Sequence, residues 1–271
     1  MESDEPRLLG NAGILSLFDL TGQVAIVTGG HSGLGRVMAE TLAELGSAVA
    51  VAARREDACI EAAEALVAQH GVQAIGVRAD VAEEADVDAL VATVSRSLGT
   101  PTIVVNAAAT FWAGRPEDVP LDKGWKRVLD VNVTGAFQLC RAVAARLLDE
   151  QRTGSIINVA SSGGLMSFMP EAGSTISYTT SKGALIKLTQ DLAAAWAANG
   201  IRVNALAPGS MAAGMMDTVP EDRLRLMVST IPMGRRGRAD ELRGATAFLA
   251  SEASSYVTGA TLVVDGGQTI V

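Results

Sequence analysis

The sequence predicts one α/β domain built on a doubly wound parallel sheet, with helices on both faces in a three-layer α/β/α arrangement. Three observations lead there. From Gln23 onward, short apolar runs alternate with helix-length amphipathic stretches, and strand–helix–strand at that rhythm demands parallel pairing by right-handed crossovers. The 271 residues are 48% hydrophobic but only 4% aromatic. The core must then be Ala, Val, Leu and Ile, the composition of helices lying on buried parallel strands. A glycine-rich turn, Thr28–Gly35, directly follows the first apolar run, at the carboxyl edge where such sheets bind ligands.

Taken in order, the strands fall at Val24–Thr28, Ala48–Ala53, Gln73–Arg78, Ile103–Asn106, Ser155–Ala160, Arg202–Ala207 and Thr261–Val264. Helices are expected near 33–45, 56–69, 84–98, 122–149, 178–198 and 239–250. The stretches poorest in pattern, 161–177 and 208–236, both follow strands on the ligand edge, where long loops carry function. Residues 1–20 lack a period and read as an arm over the domain at 21–271; the first ten fit a disordered tail equally well.

Charge and cysteine usage narrow the class. Lys plus Arg number 22 against 30 Asp plus Glu, a net charge of -8, a field that repels polyanions and argues against nucleic acid as partner. Cys59 and Cys140 form no Cys-x-x-Cys pair and read as free thiols in a reducing compartment. The start, Met1–Pro6, is acidic where a signal peptide is basic, and no apolar run reaches the ~18 residues of a membrane span. A cytoplasmic protein without a membrane anchor is expected.

In the turn, glycines at 29, 33 and 35 are spaced Gly-x-x-x-Gly-x-Gly. Gly29 and Gly33 let the backbone bend towards a pyrophosphate held at the helix N-terminus, and Gly35 lets helix and strand pack closely. His31, Ser32 and Leu34 complete the candidate coenzyme contacts here. A glycine-rich turn alone can be merely a turn; its place between first strand and first helix favours a phosphate site. After the second strand comes Ala52-Ala53-Arg54-Arg55, with no acid until Glu56. An acid there would bind the ribose hydroxyl of NAD, whereas arginine accommodates a 2′-phosphate. NADP(H) is therefore favoured over NAD(H), the bland alternative being a solvated helix start. Asp80-Val81 follows the third strand, within reach of the adenine, and Asn106-Ala107-Ala108 ends the fourth with small residues towards the coenzyme.

Tyr178 and Lys182 are four residues apart, one turn along a helix face. A tyrosine pKa of ~10 is too high for a base at neutral pH, and a neighbouring ammonium favours the phenolate. Tyr178 could then exchange a proton with a substrate oxygen as a hydride moves at the adjoining carbon. Such pairs also arise by chance on amphipathic helices. Here Ser161, just past the fifth strand, is placed to bond a substrate carbonyl. Asn132, on the long preceding helix, is placed to hold a water on a path to Lys182.

Together the Thr28–Gly35 turn, Asn106, Asn132, Ser161, Tyr178-x-x-x-Lys182, Pro208-Gly209 and Val263-Val264-Asp265-Gly266-Gly267 resemble the short-chain dehydrogenase/reductase family, from about Phe18 to Gly267. The resemblance implies a Rossmann-like domain that interconverts a ketone and a secondary alcohol with NAD(P). In it Tyr178 is the acid/base, Lys182 lowers its pKa and holds the nicotinamide ribose, Ser161 orients substrate, and Asn132 completes a proton relay. Pro208, Gly209 and Met211 join the coenzyme site. It also implies assembly as a homotetramer or homodimer through the helices near 122–149 and 178–198 and the last strand. Within the family, Leu17–Gly22, Thr175–Tyr178 and Ala195-Trp196 are similar to gluconate 5-dehydrogenases, and Ile231–Arg235 to 3-oxoacyl-thioester reductases. Departures stand at Ala109, where the family has glycine, at Ala213, where it often has threonine, and at Ser32, often basic in NADP users. The Ser161–Tyr178 spacing is also longer than usual.

Other classes fit poorly. No Gly-x-Ser-x-Gly elbow or His-Glu-x-x-His occurs, and His31 and His70 are the only histidines. A non-catalytic NADP(H)-sensing relative would be marked by loss of Tyr178 or Lys182, and both are present; only Ala109 and Ala213 speak for it. Epimerases with the same Tyr-x-x-x-Lys need a larger C-terminal region. Met166, Phe168, Met169, Met211, Met215 and Met216, with Trp112, suggest an adaptable apolar pocket wall, hence an apolar ketone rather than a sugar acid, although methionines also serve plain packing.

Overall fold

The computed structural model of the chain describes residues 13–167, 174–213 and 221–271. Its centre is a seven-stranded sheet in the order β3-β2-β1-β4-β5-β6-β7, with every neighbouring pair parallel. The strands are β1 Val24–Thr28, β2 Ala48–Ala53, β3 Ala74–Arg78, β4 Ile103–Asn106, β5 Gly154–Val159, β6 Ile201–Pro208 and β7 Thr261–Val264. Chain order reverses between β1 and β4, which opens a crevice at the carboxyl edge.

Alternate residues of each strand feed opposite faces. Val27, Val51, Val105 and Ile157 meet Met38 and Leu42 of α1 (Gly33–Glu44), Leu66 of α2 (Glu56–His70) and Leu249 of α8 (Arg243–Ala250). Ile26, Ala50, Val104 and Ile156 meet Leu90 of α3 (Glu84–Ser97), Leu139 and Leu147 of α5 (Gly135–Asp149) and Leu192 of α6 (Ile176–Trp196). Burial on both faces explains why β1 and β4 are apolar throughout, apart from Thr28 and Asn106 at their ends. No helix among the described residues is long and apolar enough to cross a membrane.

A polar seam crosses this core. Asn106 Nδ2 donates to Asn158 Oδ1 at 2.9 Å, Asn158 Nδ2 donates to Thr189 Oγ1 at 2.9 Å, and Thr189 donates to the Leu185 carbonyl at 2.8 Å. Each buried amide has a partner, so the seam escapes the cost of unpaired groups and fixes β4, β5 and α6 in one register.

Three expectations need revision. The helix expected over 122–149 is four consecutive pieces: π-helical turns at Leu121–Lys126 and Asp130–Thr134 bracket α4 (Arg127–Leu129) and precede α5. Such wide turns are rare and cluster at functional sites; the hydrophobic period does not register them. The patternless stretch 208–236 contains α7 (Glu221–Ser229), whose Arg225 pairs with Glu221 at 2.7 Å. The helix expected over 239–250 begins as a 3-10 turn, Ala239–Leu242.

Candidate active site

A cleft of about 870 Å³ lies along the carboxyl edge, from the glycine turn to the far side of α6. Backbone shapes its first half. Gly29 adopts φ +69°, and a Cβ there would meet the Ala107 backbone at 3.1 Å; a Cβ on Gly35 would lie 2.5 Å from the Gly29 carbonyl. Thr28 Oγ1 donates to the Val105 carbonyl and accepts from the Ala108 amide at 3.2 Å, drawing the end of β4 against the turn. Ser32 precedes α1 without capping it by a side-chain bond, and free amides at a helix start are suited to an anion. These features fit a pyrophosphate.

Arg54 and Arg55, at the end of β2, border the cleft and are exposed. Neither forms an ion pair with a carboxylate among the described residues. Burial, helped by the Arg55 charge, lowers the pKa of His31. Asp80 and Val81 also border the cleft. Burial pushes the Asp80 carboxyl up, but hydrogen bonds from Arg127, at 2.8 Å, and the Ala82 amide outweigh it and hold the group below its ordinary value.

The chemical groups converge on α6. Tyr178 and Lys182 lie one turn apart, with Lys182 Nζ 5.5 Å from the phenol ring centre. Nζ donates to the Val159 carbonyl at 2.6 Å, and the residue is 2% exposed. Ser161, just past the end of β5, accepts from the Gly163 amide at 3.1 Å and stands close enough to Tyr178 to influence its phenol. Burial raises the phenol pKa, and Ser161 offsets only part of this. Burial also lowers Lys182 to about 8. In the chain by itself, without coenzyme, burial thus holds the phenol above its ordinary value.

Two further expected residues stand behind the cleft rather than in its wall. Asn106 spends its amide on Asn158 and the Cys140 thiol, so its side chain joins strands instead of facing a coenzyme. Asn132, 1% exposed and on the second π turn, accepts from the Thr110 amide at 2.8 Å and donates to the Thr110 carbonyl and Ser181 Oγ, each at 2.9 Å. Its side chain thus braces the loop after β4 against α6 next to Lys182.

Ala107, Ala108, Ala109, Pro208, Gly209, Met211 and Ala213 do border the cleft. Of the expected apolar wall, Met211 is there, but Met166 and Trp112 are not. Phe168, Met169, Met215 and Met216 lie outside the described residues. Unanticipated wall residues include Phe111, Ser210, Met227 and Gln268; Ser210 and Gln268 directly follow the Pro208-Gly209 and Val263–Gly267 stretches.

A family model described as enoyl-(acyl carrier protein) reductase matches residues 29–269. Glucose 1-dehydrogenase 2 of Bacillus subtilis is 36% identical over 254 residues, 93% of this chain and 96% of that protein. A crystal structure of a short-chain type dehydrogenase/reductase from Mycobacterium marinum superposes with a TM-score of 0.91 at 37% identity, covering 95% of this chain and 99% of the other. The chain belongs to the short-chain dehydrogenase/reductase family. As a member it is an NAD(P)-dependent oxidoreductase acting on CH–OH and C=O groups. Within the family it is also similar to a gluconate 5-dehydrogenase from Burkholderia cenocepacia solved with NADP and tartrate, with a TM-score of 0.88 at 33% identity over 95% of this chain and 99% of the other.

Proposed function

We propose that this enzyme is an NADPH-dependent carbonyl reductase in which Tyr178 delivers the proton. The observation that carries the reading is the meeting of Tyr178, Ser161 and Lys182 at one end of a cleft whose other end offers Arg54 and Arg55. The bound coenzyme supplies the hydride. Ser161 holds the carbonyl oxygen beside the phenol, and Tyr178 donates its proton as negative charge develops there. A phenol kept neutral by burial is the form that reduction needs. Lys182, held by the Val159 carbonyl, places a positive charge near the phenol and helps it part with the proton. Asn132 is a positioning residue, acting through Ser181 and the loop after β4.

Arg54 and Arg55, which form no ion pair among the described residues, suit the 2′-phosphate of NADP by charge-assisted bonding. The gluconate 5-dehydrogenase relative solved with NADP supports that preference and keeps a sugar acid as the second substrate reading. β7 ends the sheet with an open edge, a strand suited to pairing with another copy in a dimer or tetramer; light scattering after gel filtration reads the assembly. The test of function is an initial-rate panel with both coenzymes on 5-ketogluconate, a β-ketoacyl thioester and a bulky apolar ketone. Turnover of a ketone, faster with NADPH than with NADH, is the expected outcome, and faster turnover with NADH overturns the coenzyme assignment.

A further inference from the structure

Besides His31 Nδ1 in the glycine turn, two buried polar atoms of cleft-wall residues have no hydrogen-bond partner among the described residues, Ser210 Oγ and Gln268 Oε1, on residues 8% and 2% exposed. Both residues border the cleft that holds Tyr178. Native proteins rarely leave such atoms unpaired without a ligand or function to explain them. The two sit on adjoining turns. The Gly209 amide donates to the Val264 carbonyl at 3.0 Å, and a Cβ on Gly209 would come within 2.6 Å of the Asp265 Cβ. The Asp265 carboxylate in turn accepts from the amides of Gly267 and Thr269, both at 2.8 Å, and so clamps the segment that carries Gln268.

The surroundings also settle which end of the Gln268 amide is free. Its Nε2 lies 3.3 Å from Thr230 Oγ1, and the single Thr230 hydroxyl proton goes to the Met227 carbonyl at 2.8 Å. Thr230 can then only accept from Gln268, which assigns the NH₂ group to that side and leaves Oε1 unpaired. An amide oxygen only accepts, whereas the Ser210 hydroxyl both donates and accepts. A hydroxyl group can donate to the amide oxygen and accept from the serine; a methylene can do neither.

We propose that Ser210 and Gln268 form a second polar subsite, which selects ketones bearing a hydroxyl group apart from the reacting carbonyl. This inference rests on the reading of Tyr178 as proton donor. It departs from the apolar ketone that the methionines alone suggest. The carboxamide N–H of a bound coenzyme is another donor of the kind such an acceptor takes, and the experiment separates the two.

The test compares matched ketones with NADPH: 2-hydroxycyclohexanone against cyclohexanone, and 3-hydroxy-2-butanone against 2-butanone. Wild type should favour the hydroxylated member in kcat/KM. Gln268→Met should reduce that preference about tenfold, chiefly through KM, the scale of one lost hydrogen bond to a buried acceptor. Ser210→Ala, which deletes one oxygen from the wall, should shift it in the same direction. Thermal melts and NADPH fluorescence titrations accompany both variants. A preference unchanged in both variants overturns the subsite, and so does weakened NADPH binding by Gln268→Met with the preference intact, which assigns the amide to the coenzyme. If wild type favours the plain ketones, the subsite falls while the reading of Tyr178 stands. If it reduces no member of either pair, both fall.

Discussion

The two halves of the cleft are made of different material. The half under β1, β2 and β4 presents backbone: a glycine turn, the opening amides of α1 and the alanines after β4, with two arginines at its rim. The half under β5, β6 and β7 presents side chains, namely Tyr178, Ser161, Ser210 and Gln268, drawn from segments up to 107 residues apart in sequence. A backbone cradle tolerates few residue types, because a Cβ in the wrong place collides with main chain. A side-chain wall accepts many residues, each with its own consequence for the ligand.

This contrast can be broken from either side. The largest effect is expected from Tyr178→Phe, which should lower kcat about 10³-fold, in the range for losing a positioned general acid, while coenzyme titration stays as in wild type. Retained turnover would show that another group carries the proton. From the opposite half, Gly35→Val puts a side chain where even a Cβ lies 2.5 Å from the Gly29 carbonyl. It should weaken coenzyme binding at least tenfold and destabilise the fold by about 1–3 kcal/mol, the usual cost of overpacking. Isothermal titration and chemical denaturation read the two effects. Arg54→Ala should raise the NADPH Kd about tenfold and leave NADH nearly unaffected, consistent with one lost charge-assisted bond; equal losses for both would detach Arg54 from the 2′-phosphate.

The smallest effect is in pH. Lys182 titrates near 8 in the folded chain, below the ordinary lysine value of 10.5. Above about 8 the folded lysine sheds its proton while the unfolded one keeps it, so the unfolded state binds more protons and stability rises with pH. The burial penalty is complete below about 8 and fades towards 10.5. Reductive kcat/KM should move the other way, falling as the ammonium is lost. Lys182→Met should flatten this component of the stability slope, measured by denaturant melts from pH 7.5 to pH 10 (roughly the window set by the shift).

The same contrast governs what could be read in advance. All seven strands were legible to within one residue at either end, because buried parallel strands are apolar runs bounded by turn residues. The glycine turn and the Tyr178–Lys182 spacing were legible for a similar reason: each pattern is local and chemically restrictive. Asn106 was misplaced because its position at a strand end carries no mark of side-chain direction, and that direction is set by Asn158, 52 residues away. The π turns around Asn132 were missed because a wide turn displaces the helical period by only one residue. Gln268 gave no signal at all: a lone glutamine after two glycines becomes informative only once Thr230 and Ser210 stand beside it. The upward shift of Tyr178 was hidden for the same reason, since burial is a property of everything packed around a side chain.

The seam from Asn106 through Asn158 to Thr189 bears on how such an enzyme can change. It ties the helix that carries Tyr178 and Lys182 to the middle of the sheet, two turns beyond Lys182, through bonds that run between β4, β5 and α6. Loops at the carboxyl edge can therefore vary while that anchor of the helix stays in place. Novelty in substrate is in this way decoupled from the upkeep of reactivity, so one scaffold can be retuned for new alcohols by drift in its rim while its chemistry is inherited intact.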